Sequence, residues 1–156
     1  MLFRERNLKD ILLGKRVFLS PEEQRVLVWI KQHPDEFTAV GGRSGQLMKV
    51  DPIHRGSGTV YVLPNKLEDE RAESSLILFG EDVSFTQGPD LWVYLSSSRD
   101  VKKDGLGDYL KLVLIKGNKG GQSYGVAKSI AELEKYQSVV IWCKQFTVLF
   151  TFASLE

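Results

Sequence analysis

Apolar residues in this chain recur mostly at period two, in short runs broken by glycine, proline, asparagine and aspartate. Leu91-Trp-Val-Tyr-Leu95 alternates cleanly, with Leu91, Val93 and Leu95 against Trp92 and Tyr94. Thr59–Leu63 and Leu110–Ile115 read as strands, and Leu76-Ile-Leu-Phe79 is too apolar for burial on one side only. Gly41–Gly45, Gly88-Pro89-Asp90 and Gly117–Gly121 read as turns, and Ser96 to Asp108 as a polar loop. The longest apolar run, Ser138 to Phe152, divides into two phases. Val139, Ile141 and Cys143 share one face opposite Val140 and Trp142. Phe146, Val148, Phe150 and Phe152 share the next, opposite Thr147, Leu149 and Thr151. The phases do not match across Lys144-Gln145, so the chain must bulge, bend between sheets or turn back there.

Helical spacing is confined mainly to the first part. Leu8, Ile11 and Leu12 form one short stripe. Ser20-Pro21-Glu22-Glu23 then offers an N-cap serine, a proline at the first helical position and a glutamate at N3, ahead of Val26, Trp29 and Ile30. That helix should end near His33-Pro34. Ser129-Ile-Ala-Glu132 is a second capping box. Six or more short strands with little helix between them predict a mainly β fold. We expect an antiparallel β-sandwich or barrel with one or two N-terminal helices packed against it. The expected division is a helical extension over 1–45 and a β domain over 46–156.

Composition narrows the chemistry. A hydrophobic share of 42% over 156 residues suffices for a core without metals or disulfides, and the single cysteine excludes an internal bridge. A net charge of +1 with no basic stripe argues against nucleic acid as a partner. No apolar stretch is long enough for a transmembrane helix, and no h-region follows the first charges as in a signal peptide. His33, His54, Cys143, Met1 and Met48 lack ligand spacing, so no metal site is expected. Asp100, Asp104 and Asp108 lack the alternation of a calcium loop. The glycine-rich stretches lack Gly-Lys-Ser/Thr, and no Gly-x-Ser-x-Gly elbow is present, so no nucleotide-binding or hydrolase motif defines an enzyme.

Two features remain. A lone cysteine on an apolar strand is ordinarily a small buried hydrophobe, yet Cys143 adjoins the parity break and Lys144. With no Cys-x-x-Cys, a redox role would need a partner thiol, a metal or a haem. Trp92 and Tyr94 share a face that could stack on a sugar ring or pack in a core.

His54-Arg-Gly-Ser-Gly-Thr59, Gly88-Pro-Asp-Leu-Trp-Val-Tyr-Leu95, Lys116-Gly-Asn-Lys-Gly-Gly-Gln-Ser-Tyr124 and Tyr136-Gln-Ser-Val-Val-Ile-Trp-Cys143-Lys-Gln-Phe146 occur in that order. Together they resemble the DM-thirteen domain, also labelled the electron-transfer DM domain, over about residues 48 to 155. The resemblance implies a β-rich domain of exported or cell-envelope proteins, found in animals beside haem- or sugar-binding domains. This chain shows no signal peptide. It also implies a redox role for Cys143, with an unidentified redox partner and with haem or metal ligation as routes. His54 and Trp142 become its candidate neighbours. The alternative is a ligand-binding or adhesion module in which Trp92, Tyr94 and Tyr124 contact a carbohydrate or a protein and Cys143 is a packed core residue.

Overall fold

A computed structural model of the chain describes residues 14–66 and 73–156. The stripe at Leu8, Ile11 and Leu12 lies outside the described residues. Helix α1 (Pro21–Gln32) starts where the capping box places it. Ser20 accepts from the Glu23 N–H (3.2 Å) while the Glu23 carboxylate accepts from the Ser20 N–H (2.7 Å). A short helix α2 (Pro34–Ala39) follows directly.

The β structure comprises β1 (Arg43–Gln46), β2 (Gly56–Ser57), β3 (Thr59–Pro64), β4 (Ser75–Phe79), β5 (Ser84–Phe85), β6 (Leu91–Ser96), β7 (Tyr109–Leu114), β8 (Gln122–Val126), β9 (Ser138–Cys143) and β10 (Val148–Ser154). Two single-turn helices, α3 (Val101–Asp104) and α4 (Ile130–Leu133), interrupt the loops. Sheet one has the order β1-β3-β4-β8 and sheet two β10-β9-β6-β7, both antiparallel, with β2-β5 as a separate ribbon. Leu47 bridges Ala153, and Ser44 and Glu156 exchange main-chain hydrogen bonds, so the sheets meet along the β1–β10 side. They do not close into a barrel. Of the two expected architectures, the sandwich is the one formed.

The layers follow from strand parity. Val60, Val62, Ile77 and Phe79 of sheet one meet Leu91, Val93, Leu95, Val139, Ile141 and Cys143 of sheet two in the main core. Leu63, Leu76 and Leu78 face the other way, onto Leu27, Ile30 and Phe37 of the helices. This two-sided burial is why β4 reads as uninterrupted apolar sequence. The outer face of sheet two, with Tyr94, Val140 and Phe152, packs against Val50, Val101 and Leu106.

Two sequence expectations need correction. Gly41–Gly45 is not wholly a turn, because β1 begins at Arg43, and Gly45 lets β10 approach: a Cβ there would lie 2.1 Å from the Ser154 carbonyl oxygen. The parity break after Cys143 is a hairpin turn, with Thr147 at φ 56°, but the second phase is not continuous. Val148 pairs with Cys143 and Leu149 with Trp142. Thr151, not Phe150, then pairs with Ile141. Phe150 is an extra residue, and this bulge resets parity. Val148 and Phe150 face the main core, Phe152 faces outward from it, and Phe146 is exposed in the turn.

Candidate functional site

Cys143 ends β9, a central strand, between Leu91 of β6 and Val148 of β10. It is a free thiol with 0% exposure, set in the main core. Trp142, its sequence neighbour, projects to the opposite face of β9. His54 is held elsewhere: its Nδ1 lies 2.8 Å from Asp51 Oδ2, and its ring stands edge-on to Phe150 at 4.7 Å. The Asp51 carboxyl is lowered to about 2, chiefly by the side-chain hydrogen bond with His54 and next by the His54 main-chain N–H. Neither sequence-predicted neighbour brings a polar atom to the Cys143 sulfur.

A haem ligand must face a cavity wide enough for a macrocycle, with its sulfur exposed to the iron. A sulfur with no accessible surface in a continuous sheet-to-sheet core does not fit that requirement. Among the described residues no group of three or more His, Cys, Asp or Glu side chains is placed to hold a metal ion, and no helix is long and apolar enough to cross a membrane.

The three residues of the ligand-binding alternative do not share one surface. Tyr124 belongs to sheet one and points into the main core, 4% exposed. Its hydroxyl accepts from the Lys116 N–H (2.8 Å) and donates to the Gln122 side-chain oxygen, while Gln122 Nε2 donates to the Gly117 carbonyl (2.9 Å). This family-like segment is therefore a loop pinned from within. Trp92 and Tyr94 do lie together, on the outer face of sheet two.

That outer face carries the densest chemistry. The Tyr109 ring, 54% exposed, stacks on Tyr94 at 5.3 Å and 19°. Tyr94, 5% exposed, stacks in turn on Trp142 at 6.2 Å and 29°. Burial first, then the proximity of Tyr109 and the Asp90 charge, push the Tyr94 phenol up from its ordinary value. Trp92 is the in-register partner of Trp142 across the strand pair. Its Nε1–H donates to Asp90 Oδ1 at 2.7 Å, and the ammonium groups of Lys111 and Lys144 lie 4.9 Å and 5.5 Å from its ring centroid. Asp90 is 0% exposed, and its second carboxylate oxygen has no hydrogen-bond partner among the described residues. Asp90 and Tyr109 were missed by the sequence reading. Extending the Trp92/Tyr94 parity back by two residues reaches Asp90, so a signal was present.

A groove of about 550 Å³ lies across the sandwich, between the helices and the outer face of sheet one. Its walls include Val26, Trp29, Leu63 and Leu76. It contains neither the aromatic stack nor the cysteine, and both sheets separate it from the Trp92 face.

No curated protein and no solved structure matches the chain. The residues just described, from the His54 turn through the Asp90–Leu95 strand and the pinned Lys116–Tyr124 loop to Cys143, fall within a single family match. Since the sequence model of Electron transfer DM13 aligns with residues 46–155, well over half of the chain, the protein belongs to that electron-transfer family.

Proposed function

We propose that this electron-transfer domain moves single electrons along the aromatic outer face of sheet two, with Cys143 serving as packed core sulfur beneath it. The observation that carries this reading is the continuous stack Tyr109–Tyr94–Trp142, which runs from an exposed ring through a buried one to a half-buried indole. Electronic coupling falls steeply with the gap between π systems, so rings in stacked contact exchange an electron far faster than separated ones. A high-potential one-electron acceptor at Tyr109 gains one electron, and the hole passes to Tyr94 and Trp142. A one-electron donor then fills it, leaving the rings unchanged. Each ring that holds the hole releases its phenolic or indole proton to water and takes it back when it is reduced, Tyr109 as soon as the hole moves on.

Thiol–disulfide exchange draws no comparable support. It requires a sulfur to attack along an open path, and Cys143 has none in the folded state. Carbohydrate stacking also draws less support. Tyr94 is buried, and two lysines already stand over Trp92.

The test is laser flash–quench oxidation with a small ruthenium polypyridyl acceptor, in a Trp29→Phe/Trp92→Phe background so that the indole signal reports Trp142. We expect a tyrosyl radical followed by a Trp142 radical. Tyr94→Phe should cut the indole yield several-fold, and Cys143→Ala should leave it unchanged. An undiminished Trp142 signal in Tyr94→Phe, or its loss in Cys143→Ala, overturns the reading.

A further inference from the structure

We infer that Asp90 is the proton acceptor of Trp92, so that electron removal from this indole is a proton-coupled step. The inference rests on the one-electron reading of the same face, but it concerns a different ring and a different atom transfer.

Four observations converge on it. Asp90 closes the turn that leads into β6, two residues before Trp92, and its carboxylate lies beside the indole. The indole Nε1–H already points at the carboxylate, at 2.7 Å. Asp90 has no accessible surface, and its Oδ2 is buried without a donor among the described residues. The carboxylate therefore meets the indole N–H with acceptor capacity to spare. Lys111 and Lys144 stand close to the Trp92 ring. Their charges oppose a positive indole, so an oxidised Trp92 is driven to shed its proton instead of staying a radical cation. Asp90 is the base in contact with that proton. Its position is fixed from the main chain as well, since the Lys144 N–H donates to the Asp90 carbonyl at 3.0 Å.

The step balances. A high-potential one-electron oxidant removes an electron from Trp92 and is reduced by one electron. The Nε1–H bond breaks and an O–H bond forms on Asp90. The products are a neutral indolyl radical and a neutral carboxylic acid, which hydrogen-bonds back to the indole nitrogen. Uncoupled oxidation would instead leave a cation facing two lysines and an unneutralised buried carboxylate. On re-reduction by a one-electron donor the proton returns to Nε1. Without proton transfer, Asp90 would only anchor the indole. A neutral amide acceptor could do that equally well, and this separates the two roles.

The experiment uses the full chain with Trp29→Phe and Trp142→Phe, so that Trp92 is the one indole, and the same ruthenium flash–quench oxidant. Neutral and cationic indole radicals have distinct absorption spectra. With Asp90 present we expect the neutral radical to form directly, and to form more slowly in heavy water. Asp90→Asn keeps the acceptor for the Nε1–H but cannot hold the proton. There we expect the radical cation, decaying to the neutral form roughly 10²-fold more slowly. Should Asp90→Asn fail to fold, the heavy-water comparison on the Asp90 chain still decides. The same radical form and decay in both chains, no heavy-water effect with Asp90 in place, or no Trp92 radical at all overturns the inference. Failure of the Tyr109–Tyr94–Trp142 relay shows separately, in the Tyr94→Phe yield, and leaves the protonation state of the Trp92 radical unaffected.

Discussion

Replacing Cys143 separates a packing sulfur from a working thiol. The side chain is fully buried between Leu91 and Val148, inside a core formed by both sheets. Cys143→Ala removes one apolar heavy atom. Its transfer contribution is comparable to a buried methylene, and with the small void left behind the loss is about 1–2 kcal/mol. Cys143→Ser keeps the shape but places a hydroxyl where no polar side chain meets the sulfur. The lost apolar transfer is then joined by the desolvation of an unsatisfied group, for a total of about 2–4 kcal/mol. Serine should therefore be the worse substitution, although it is the closer isostere. For a chain of this length the serine variant should melt on the order of 10 °C lower. Urea denaturation of the three proteins, with midpoints compared at constant m, measures the order cysteine, alanine, serine. A thiol reagent supplies a second readout: modification of the native protein should be slower than in denaturant by at least ~10³-fold, because it must wait for opening. A serine variant as stable as the alanine one, or a thiol that reacts at the denatured rate, refutes the packing account.

Three further outcomes follow from local geometry. Asn118 accepts from the Lys15 N–H and donates to the Phe85 carbonyl, both at 2.8 Å. Asn118→Ala should cost about 1–3 kcal/mol by leaving both groups unpaired, with faster hydrogen exchange at Lys15 as the local check. Gly58 sits at φ +99° with the Val83 Cα 2.6 Å from where a Cβ would stand. Gly58→Ala should lose about 1–3 kcal/mol in a urea melt, and an unchanged midpoint counts against the strain. Asp51, whose folded pKa of about 2 lies below its ordinary 3.8, contributes stability that is complete above pH 4. That contribution disappears as the pH falls from 4 toward 2, and it is modest because the side chain is 45% exposed. Carboxyl titration by NMR should place the Asp51 midpoint near 2 and move it up in His54→Ala. A midpoint of 3.8 in the unsubstituted protein would remove the His54 interaction as its cause.

What could be read from the sequence was local in origin. The Ser20 and Ser129 caps are complete within four residues, and both formed as expected. The alternation of Leu91–Leu95 needs no partner to declare its two faces, and β4 announces its double burial by composition. What could not be read depends on the facing strand. The Phe150 bulge is defined against Ile141 and Trp142, residues that carry no mark of the mismatch. Tyr124 lies in Gln122-Ser-Tyr-Gly-Val126, where a glycine and polar neighbours blur alternation, so neither its sheet nor its face was legible. Asp90 belongs to the Gly88-Pro89-Asp90 turn that the sequence announces, but its contact with the Trp92 indole depends on the path of the chain into β6. Gly88 itself marks a close approach, with the Phe150 ring 2.8 Å from a would-be Cβ.

The alternation of β6 and β9 also explains why one segment invites two functional readings. Leu91 pairs with Cys143 and Trp92 with Trp142, so adjacent residues on each strand feed opposite sides of sheet two. The inner side is satisfied by packing alone. Around it, the Lys116–Tyr124 segment is held by hydrogen bonds that involve Tyr124, Gln122 and Asn118. Beside the outer side lies Asp90, the one carboxylate among the described residues with a buried oxygen left over. Substitutions on the two sides should therefore act on different observables. Changes at Cys143 should move the unfolding midpoint without altering the radicals formed on the outer face. Asp90→Asn should change the form of the Trp92 radical by far more than its effect on folding would explain. If instead both substitutions moved both observables in proportion, the sheet would be acting as one unit, and the division of labour between its faces would fail.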